Sequence, residues 1–298
     1  MAAIGAVQHP VVVIGDVMVD IAIKPHGPVR FASDTDSSIR LGLGGAGANI
    51  AVHLARLGIP VRFIGCVGDD GLAQFVRTAL KEPGLDAALE TIPGVPTGAI
   101  AIFVDETGQR TMFPQRGANL HLTPERLLRR WPEHLSALFV SGYALFAEPT
   151  RSAARLAMER ARAAGVPVAV DPASYANILD VGADQFLEWC RPATILLPNR
   201  EEAAVLAQSD SPEKALERLA RLFPLVVVKL DHDGARARRG SETVHAPALH
   251  VPVVDTTGAG DAFNAGFLAA YLSGAPLAEA LAAGNARAAH VVQHVGAS

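Results

Sequence analysis

Cysteine is nearly absent: Cys66 and Cys190 are the two in 298 residues, far apart and without metal-ligand spacing. That excludes a disulfide framework or a zinc knuckle and leaves two thiols expected to be reduced and buried. Aromatic residues make up only 5% of the chain, which argues against an aromatic-lined β-sandwich. Charged residues are sparse at 19%, the net charge is −4, and no basic block occurs, so nucleic acid is not an expected partner. No apolar run approaches the roughly 20 residues of a membrane span, and the first ten residues lack the charged-then-apolar order of a signal peptide. A membrane partner is therefore not expected, and the expected location is cytoplasmic. The patterns G-x-x-x-x-G-K-[ST], G-x-S-x-G and H-E-x-x-H are also missing, which sets aside P-loop kinases, nucleophile-elbow hydrolases and zincins.

What the chain has is apolar bulk: 50% of its residues are hydrophobic, with alanine and valine abundant, the composition of helices packed tightly on buried parallel strands. Short apolar runs over 11–15, 61–67, 137–140, 166–170, 194–197 and 225–230 read as buried strands. Helical periodicity over 50–57, 71–80, 149–164, 200–207 and 212–222 falls between them, and Thr123-Pro124-Glu125 opens another helix with Thr as its cap. Such alternation implies right-handed parallel crossovers and a three-layer α/β fold. Two turn-rich pieces break the rhythm. They are expected to form a small β-sheet lid, over about 16–41 and 92–118, on a single domain spanning 1–298. The second contains a hairpin around Asp105-Glu106-Thr107-Gly108.

The most specific chemistry lies in Asp255-Thr256-Thr257-Gly258-Ala259-Gly260-Asp261, which opens a small-residue helix reaching Tyr271. A glycine-rich turn at a helix start aims bare N–H groups at an anion. A carboxylate there would repel a resting phosphate, but it suits a base that takes a proton from a hydroxyl during phosphoryl transfer. Taken alone, Asp261 also reads as a helix cap. As a base at a helix start, it is expected to have a lowered pKa.

Other candidates cluster after strands, where α/β sheets bind ligands. Asp16 and Asp20 follow the first strand and suit neighbouring hydroxyls, although turn aspartates look the same. Gly42-Leu43-Gly44-Gly45-Ala46-Gly47-Ala48-Asn49 contains G-x-G-x-x-G, yet its lead-in, Asp36-Ser37-Ser38-Ile39-Arg40, is too polar for the buried strand of a dinucleotide site. It reads better as a backbone platform for a small polar ligand, with Asn49 offering its amide or serving as a cap. Asn199 and Glu202 fit either a capping box or the organisation of Mg²⁺ through water. Lys229 and Asp231 lie where a nucleotide could be contacted, and Asp171 ends another strand. His53 and His121 read as structural or solvated.

In this order the pieces resemble the ribokinase-like, or pfkB, carbohydrate kinases. The resemblance is carried by Gly15-Asp16-Val17-Met18-Val19-Asp20, Gly44-Gly45-Ala46-Gly47-Ala48-Asn49, Asn199-Arg200-Glu201-Glu202 and the stretch from Asp255 to Asn264. It implies a doubly wound α/β core with a β-sheet lid, and transfer of phosphate from ATP-Mg²⁺ to a hydroxymethyl group of a small sugar or nucleoside. It further implies Asp261 as base, with Gly258, Ala259 and Gly260 as anion hole. Asp16, Asp20, Gly45 and Asn49 would hold the substrate, with Arg110 or Arg116 reaching it from the lid. Asn199 and Glu202 would influence Mg²⁺, and Asn285 would lie near the adenine. A K⁺ site is implied at Asp255 and Thr257, with backbone near Val291, His294 and Gly296. The chain stops at Ser298, where the family often supplies a further ligand. Lys229-Leu230-Asp231 departs from the more usual Thr-Leu-Gly.

Nucleosides such as adenosine or pseudouridine, or a keto-deoxy acid sugar, are the alternative acceptors. A nucleoside pocket would call on Phe31, Phe103 or Phe113 as a platform. A non-catalytic sugar binder and a dinucleotide oxidoreductase are the readings from other classes. A homodimer paired through the lid is expected, because an uncovered sheet edge is a liability.

Overall fold

The structure is a computed structural model and describes residues 7–294 and 296. Residues 1–6, within the stretch where no signal peptide is expected, and Ser298 lie outside the described residues. Strand β1 (Val11–Ile14) leads into β2 (Met18–Pro25) and β3 (Ser37–Gly44), followed by α1 (Ala46–Arg56), β4 (Val61–Val67), α2 (Gly71–Ala79) and β5 (Leu85–Thr91). After β6 (Ala99–Val104) and β7 (Arg110–Gln115) come α3 (Pro124–Arg130), β8 (Ala137–Ser141), α4 (Thr150–Ala163) and β9 (Val168–Asp171). Next are α5 (Tyr175–Val181), α6 (Ala183–Trp189), β10 (Ile195–Leu196), α7 (Arg200–Ala207), α8 (Pro212–Leu219) and β11 (Leu225–Lys229). The hairpin β12 (Ala235–Arg239) and β13 (Glu242–Ala246) precedes α9 (Ala259–Leu272) and α10 (Leu277–Val291).

Nine strands form one sheet in the order β13-β12-β11-β10-β9-β8-β1-β4-β5. It is parallel from β5 to β11, and the β12–β13 hairpin adds an antiparallel edge. Both faces of the parallel part are covered, so its strands are continuous apolar runs rather than alternating ones. Val12, Ile14, Leu138 and Val140 pack toward Met158 and Phe186 on one side. Val11, Val13 and Phe139 pack toward Ile50, Leu54 and Phe267 on the other. The chain builds outward from β1 in both directions, through β4 to β5 and through β8 to β13. The order therefore reverses at β1, and the crevice beyond its carboxyl end is where a doubly wound sheet takes a ligand.

The lid is a separate four-stranded sheet, β3-β2-β6-β7. Its register aligns Leu41, Ile21, Ala101 and Phe113 in one row and Ile39, Ile23, Phe103 and Thr111 in the next row of the same face. On that face Ile39, Leu41 and Phe113 are 64%, 54% and 62% exposed. Asp20 and its partner Gly42 belong to the opposite face, since strand side chains alternate.

Several elements differ from the sequence expectation. β5 is an edge strand of the large sheet that the sequence pattern did not mark; Asp86, Glu90 and Thr91 interrupt its apolar run, as the edge position of the strand allows. The polar lead-in before Gly42 is not a difference: it runs into β3, an antiparallel lid strand with its middle exposed and not a buried central strand. α5 and α6 are seven-residue helices, too short to show a clear period. The arginine-rich β12 alternates buried Ala235 and Ala237 with part-exposed Arg236 and Arg238, but alanine is a weak strand signal, so the alternation does not stand out in the sequence.

Candidate active site

At the mouth of the crevice, α9 begins at Ala259, and Gly258 takes the N-cap position with φ 75°, a left-handed conformation that glycine adopts without strain. Asp261 is therefore in the first turn rather than at the cap. Its Oδ2 accepts a hydrogen bond from Asn49 Nδ2 at 3.0 Å. The Ala259 N–H turns back to the Thr256 carbonyl at 3.2 Å, so of the three expected anion-hole amides this one is committed to the turn. Burial pushes the Asp261 carboxyl up to about 7; the Asn49 amide opposes this, the nearby Asp171 charge adds to it, and Lys229 opposes it. The expectation of a lowered value is corrected: desolvation outweighs the helix start, because a charge removed from water loses more than one helix end returns.

Asn49 is itself buried and sits one turn into α1, whose N-cap is Gly45. It is not a cap. Its Oδ1 has no hydrogen-bond partner, and neither does Asp20 Oδ1, both being buried acceptors. The glycine cluster explains itself by close approach. A Cβ at Gly44 would lie 2.0 Å from Asp20 Oδ1, and Gly45, with φ 90°, lies against the Asp16 carbonyl. Burial pushes the Asp20 carboxyl up to about 6 against the opposing charge of Arg110. Asp16 is buried and ion-paired with Arg116. Burial raises its pKa although that arginine pulls the other way. Arg116 also lies over the Tyr143 ring at 4.3 Å. Asn119 holds this corner, accepting from Val17 N and donating to Val17 O, each at 2.9 Å.

Beside this group runs a cleft of about 590 Å³. Asn199, Glu202, Lys229, Asp231, Asn285 and the turn from Gly258 to Asp261 all line it, so residues from four separated segments converge. Asn199 and Glu202 form a complete capping box: Glu202 N donates to Asn199 Oδ1 at 2.8 Å, and Asn199 N donates to Glu202 Oε2 at 2.9 Å. Burial, then the charge of Asp171, push Glu202 up to about 7, with Lys229 opposing. Lys229 Nζ donates to Asp171 Oδ2 at 2.5 Å and lies 3.4 Å from Asn264 Oδ1. Burial works against its charge, but Asp171 and Glu202 outweigh burial and raise its pKa. Asp231 is exposed, with φ 54°. Asn285 spends its amide on the Ala246 and Pro247 carbonyls, at 3.0 and 2.9 Å, and so holds the cleft wall.

Asp255 is buried, and its carboxylate accepts from Thr257 N at 2.8 Å, from Gly296 N at 2.9 Å and from Arg110 at 2.6 Å. Arg110 thus reaches from the lid to the loop before α9 rather than into open cleft. No cluster of three or more His, Cys, Asp or Glu side chains suited to a metal occurs among the described residues. The oxygen donors at Glu202 and Asp171 fit a hydrated Mg²⁺ held mainly by nucleotide phosphates. Tyr143, Asn264 and Asn119 were not singled out from sequence. Tyr143 and Asn264 each follow a strand end or the glycine turn by a few residues, whereas nothing local marks Asn119.

The sequence profile of the pfkB family carbohydrate kinases matches residues 8–298. The chain belongs to the pfkB family. It is a carbohydrate kinase by that membership, in a family that includes sugar and nucleoside kinases. It is 35% identical over 271 residues to a fructokinase from Klebsiella pneumoniae, covering 86% of this chain and 82% of that one. It is 30% identical over 293 residues to a ribokinase from Haemophilus influenzae, covering 96% and 92%. Among solved structures, adenosine kinase from Sinorhizobium meliloti superposes with a TM-score of 0.84 at 29% identity, covering 97% and 95%. A putative ribokinase II from E. coli, solved with ATP and Mg²⁺, gives 0.85 at 25% identity, covering 97% and 94%. The pfkB fold accounts for the doubly wound sheet and the lid. Among the described residues, no helix is long and apolar enough to cross a membrane.

Proposed function

We propose that this chain transfers the γ-phosphoryl group of ATP-Mg²⁺ to a hydroxymethyl group of a small sugar, as a single domain in which the lid covers the acceptor. The observation that carries this reading is the Asp261–Asn49 contact, set beside two buried acceptors, Asp20 Oδ1 and Asn49 Oδ1, that lack a donor. Buried acceptors without partners are costly, and the hydroxyls of a sugar would supply what they lack. Asp261 takes the hydroxyl proton as the oxygen bonds to the γ-phosphorus and the bond to ADP breaks. The Gly258–Gly260 turn and Lys229 face the charge on the transferred group; a Cβ on Gly260 would lie 4.0 Å from Lys229 Nζ. Asp16, Gly45 and Arg116 shape the acceptor side. Asn199 and Glu202 act on Mg²⁺ through water, and Asp231 and Asn285 border the nucleotide. Bound Mg²⁺ would screen the phosphates and orient them.

Sugar is favoured over nucleoside because Phe103 and Phe113 belong to the lid face opposite Asp20, leaving no platform from those two rings beside the acceptor. For a monovalent cation, Asp255 and Thr257 remain the proposed site, in competition with Arg110 for the same carboxylate. The exposed apolar face of the lid supports a homodimer. The unpaired, buried Cys66 and Cys190 agree with a cytoplasmic location. The test is ADP release from ATP-Mg²⁺ across pentoses, hexoses, keto-deoxy acids and nucleosides, with Asp261→Asn alongside. One acceptor whose turnover dies in the variant supports the reading. Bound nucleotide with no turnover on any acceptor would favour a sugar-binding protein instead.

A further inference from the structure

A second cavity, of about 610 Å³, opens at the β5 edge of the large sheet and shares no lining residue with the active-site cleft. That volume suits a small molecule. Arg62 of β4, Arg77 of α2, and Arg129 and Arg130 at the end of α3 converge on it, facing two carboxylates, Asp86 and Glu90. Arg62 pairs with Asp86 at 2.6 Å. Glu90 is shared between Arg129 at 2.7 Å and Arg130 at 2.6 Å. Arg77 donates to the neutral Thr91 hydroxyl at 2.8 Å. Four cations against two anions leave a local surplus of two positive charges in a chain whose net charge is −4.

We propose that this cavity binds a small polyphosphorylated anion, with Arg77 and Arg129 as its principal contacts. Guanidinium forks match phosphate oxygens in pairs, and their origin on three different elements suits an anion with two or more charged groups rather than a single carboxylate. Glu90 keeps Arg129 and Arg130 folded toward the strand, and a phosphate would compete for their remaining N–H groups. Because the cavity is separate from the cleft, its occupant would be an effector and not the reacting substrate.

The probe is inorganic pyrophosphate, titrated calorimetrically into the full chain with the nucleotide site saturated by ADP in the absence of Mg²⁺. One further equivalent should bind, with an affinity that falls as salt rises. Arg77→Ala/Arg129→Ala should weaken it by roughly tenfold or more, the usual scale for losing charge-assisted hydrogen bonds. Arg77→Lys/Arg129→Lys, which preserves charge and surface packing, should also weaken it by removing the forks. Asp261→Asn should leave it unchanged. No second equivalent in the wild type, or equal affinity in a folded double-alanine variant, would overturn the proposal.

Discussion

Asn49 on α1 and Asp261 on α9 lie 212 residues apart in the chain, yet they meet through a 3.0 Å hydrogen bond at the mouth of the crevice. The contact joins the two glycine clusters and places the candidate base beside the acceptor pocket. The role proposed for Asp261 predicts that Asp261→Asn lowers turnover by roughly 10² or more, the usual size of a general-base effect, with ATP affinity largely kept. Steady-state kinetics and nucleotide titration check this; near-normal turnover would remove Asp261 from the mechanism.

The raised pKa of Asp261 gives that prediction a pH signature. Below about 7 the carboxyl is protonated and cannot accept the substrate proton, so kcat/KM of the wild type should rise as pH increases through about 7. Glu202 titrates in the same range, so Glu202→Gln separates the two. The rise should persist in that variant if Asp261 is responsible.

Removing the Asn49 amide should move this limb to higher pH. Asn49 donates to the carboxylate and so favours its charged form. In Asn49→Ala the base loses that support, and its pKa rises further. A pH–rate profile with an unshifted limb would mean that the contact does not act on the base.

Stability should depend on Asp261 in the opposite sense. The folded-state value, about 7, lies above the ordinary 3.8, so between those pH values the folded chain binds more protons than the unfolded one. Stability is then lost as pH rises through the window. Asp261→Asn should be more thermostable than the wild type at pH 8, with the advantage shrinking toward pH 4. Thermal unfolding at both pH values tests this.

Arg110 and a monovalent cation would compete for the Asp255 carboxylate, which already accepts two backbone N–H groups. K⁺ should therefore stimulate Arg110→Ala more than it stimulates the wild type. Equal stimulation would separate the lid arginine from the ion site.

The apolar lid face predicts association. Leu41→Glu/Phe113→Glu, in exposed positions at the two ends of one row, should convert a dimer to a monomer in solution, read by light scattering. A wild type that is already monomeric at micromolar concentration would contradict the lid-mediated dimer.

The sequence by itself determined the alternating α/β architecture, because buried parallel strands must be unbroken apolar runs and their helices must carry a period. It also marked the turn before α9, since few residues other than glycine at position 258 tolerate that backbone. The lid was legible only as a break in rhythm, and β5 was missed, because solvent on one side lets polar residues into a strand. Tertiary structure alone decided what the charged groups do. Asn199 and Glu202 look the same in sequence whether they cap a helix or face a cleft; here they do both. Burial and neighbours gathered from distant segments raised the Asp261 pKa where the helix start alone implied a lower one. The pairing of Arg110 with Asp255, and the four arginines at the sheet edge, come from elements that the chain brings together only on folding. No local pattern encodes a distance across the fold.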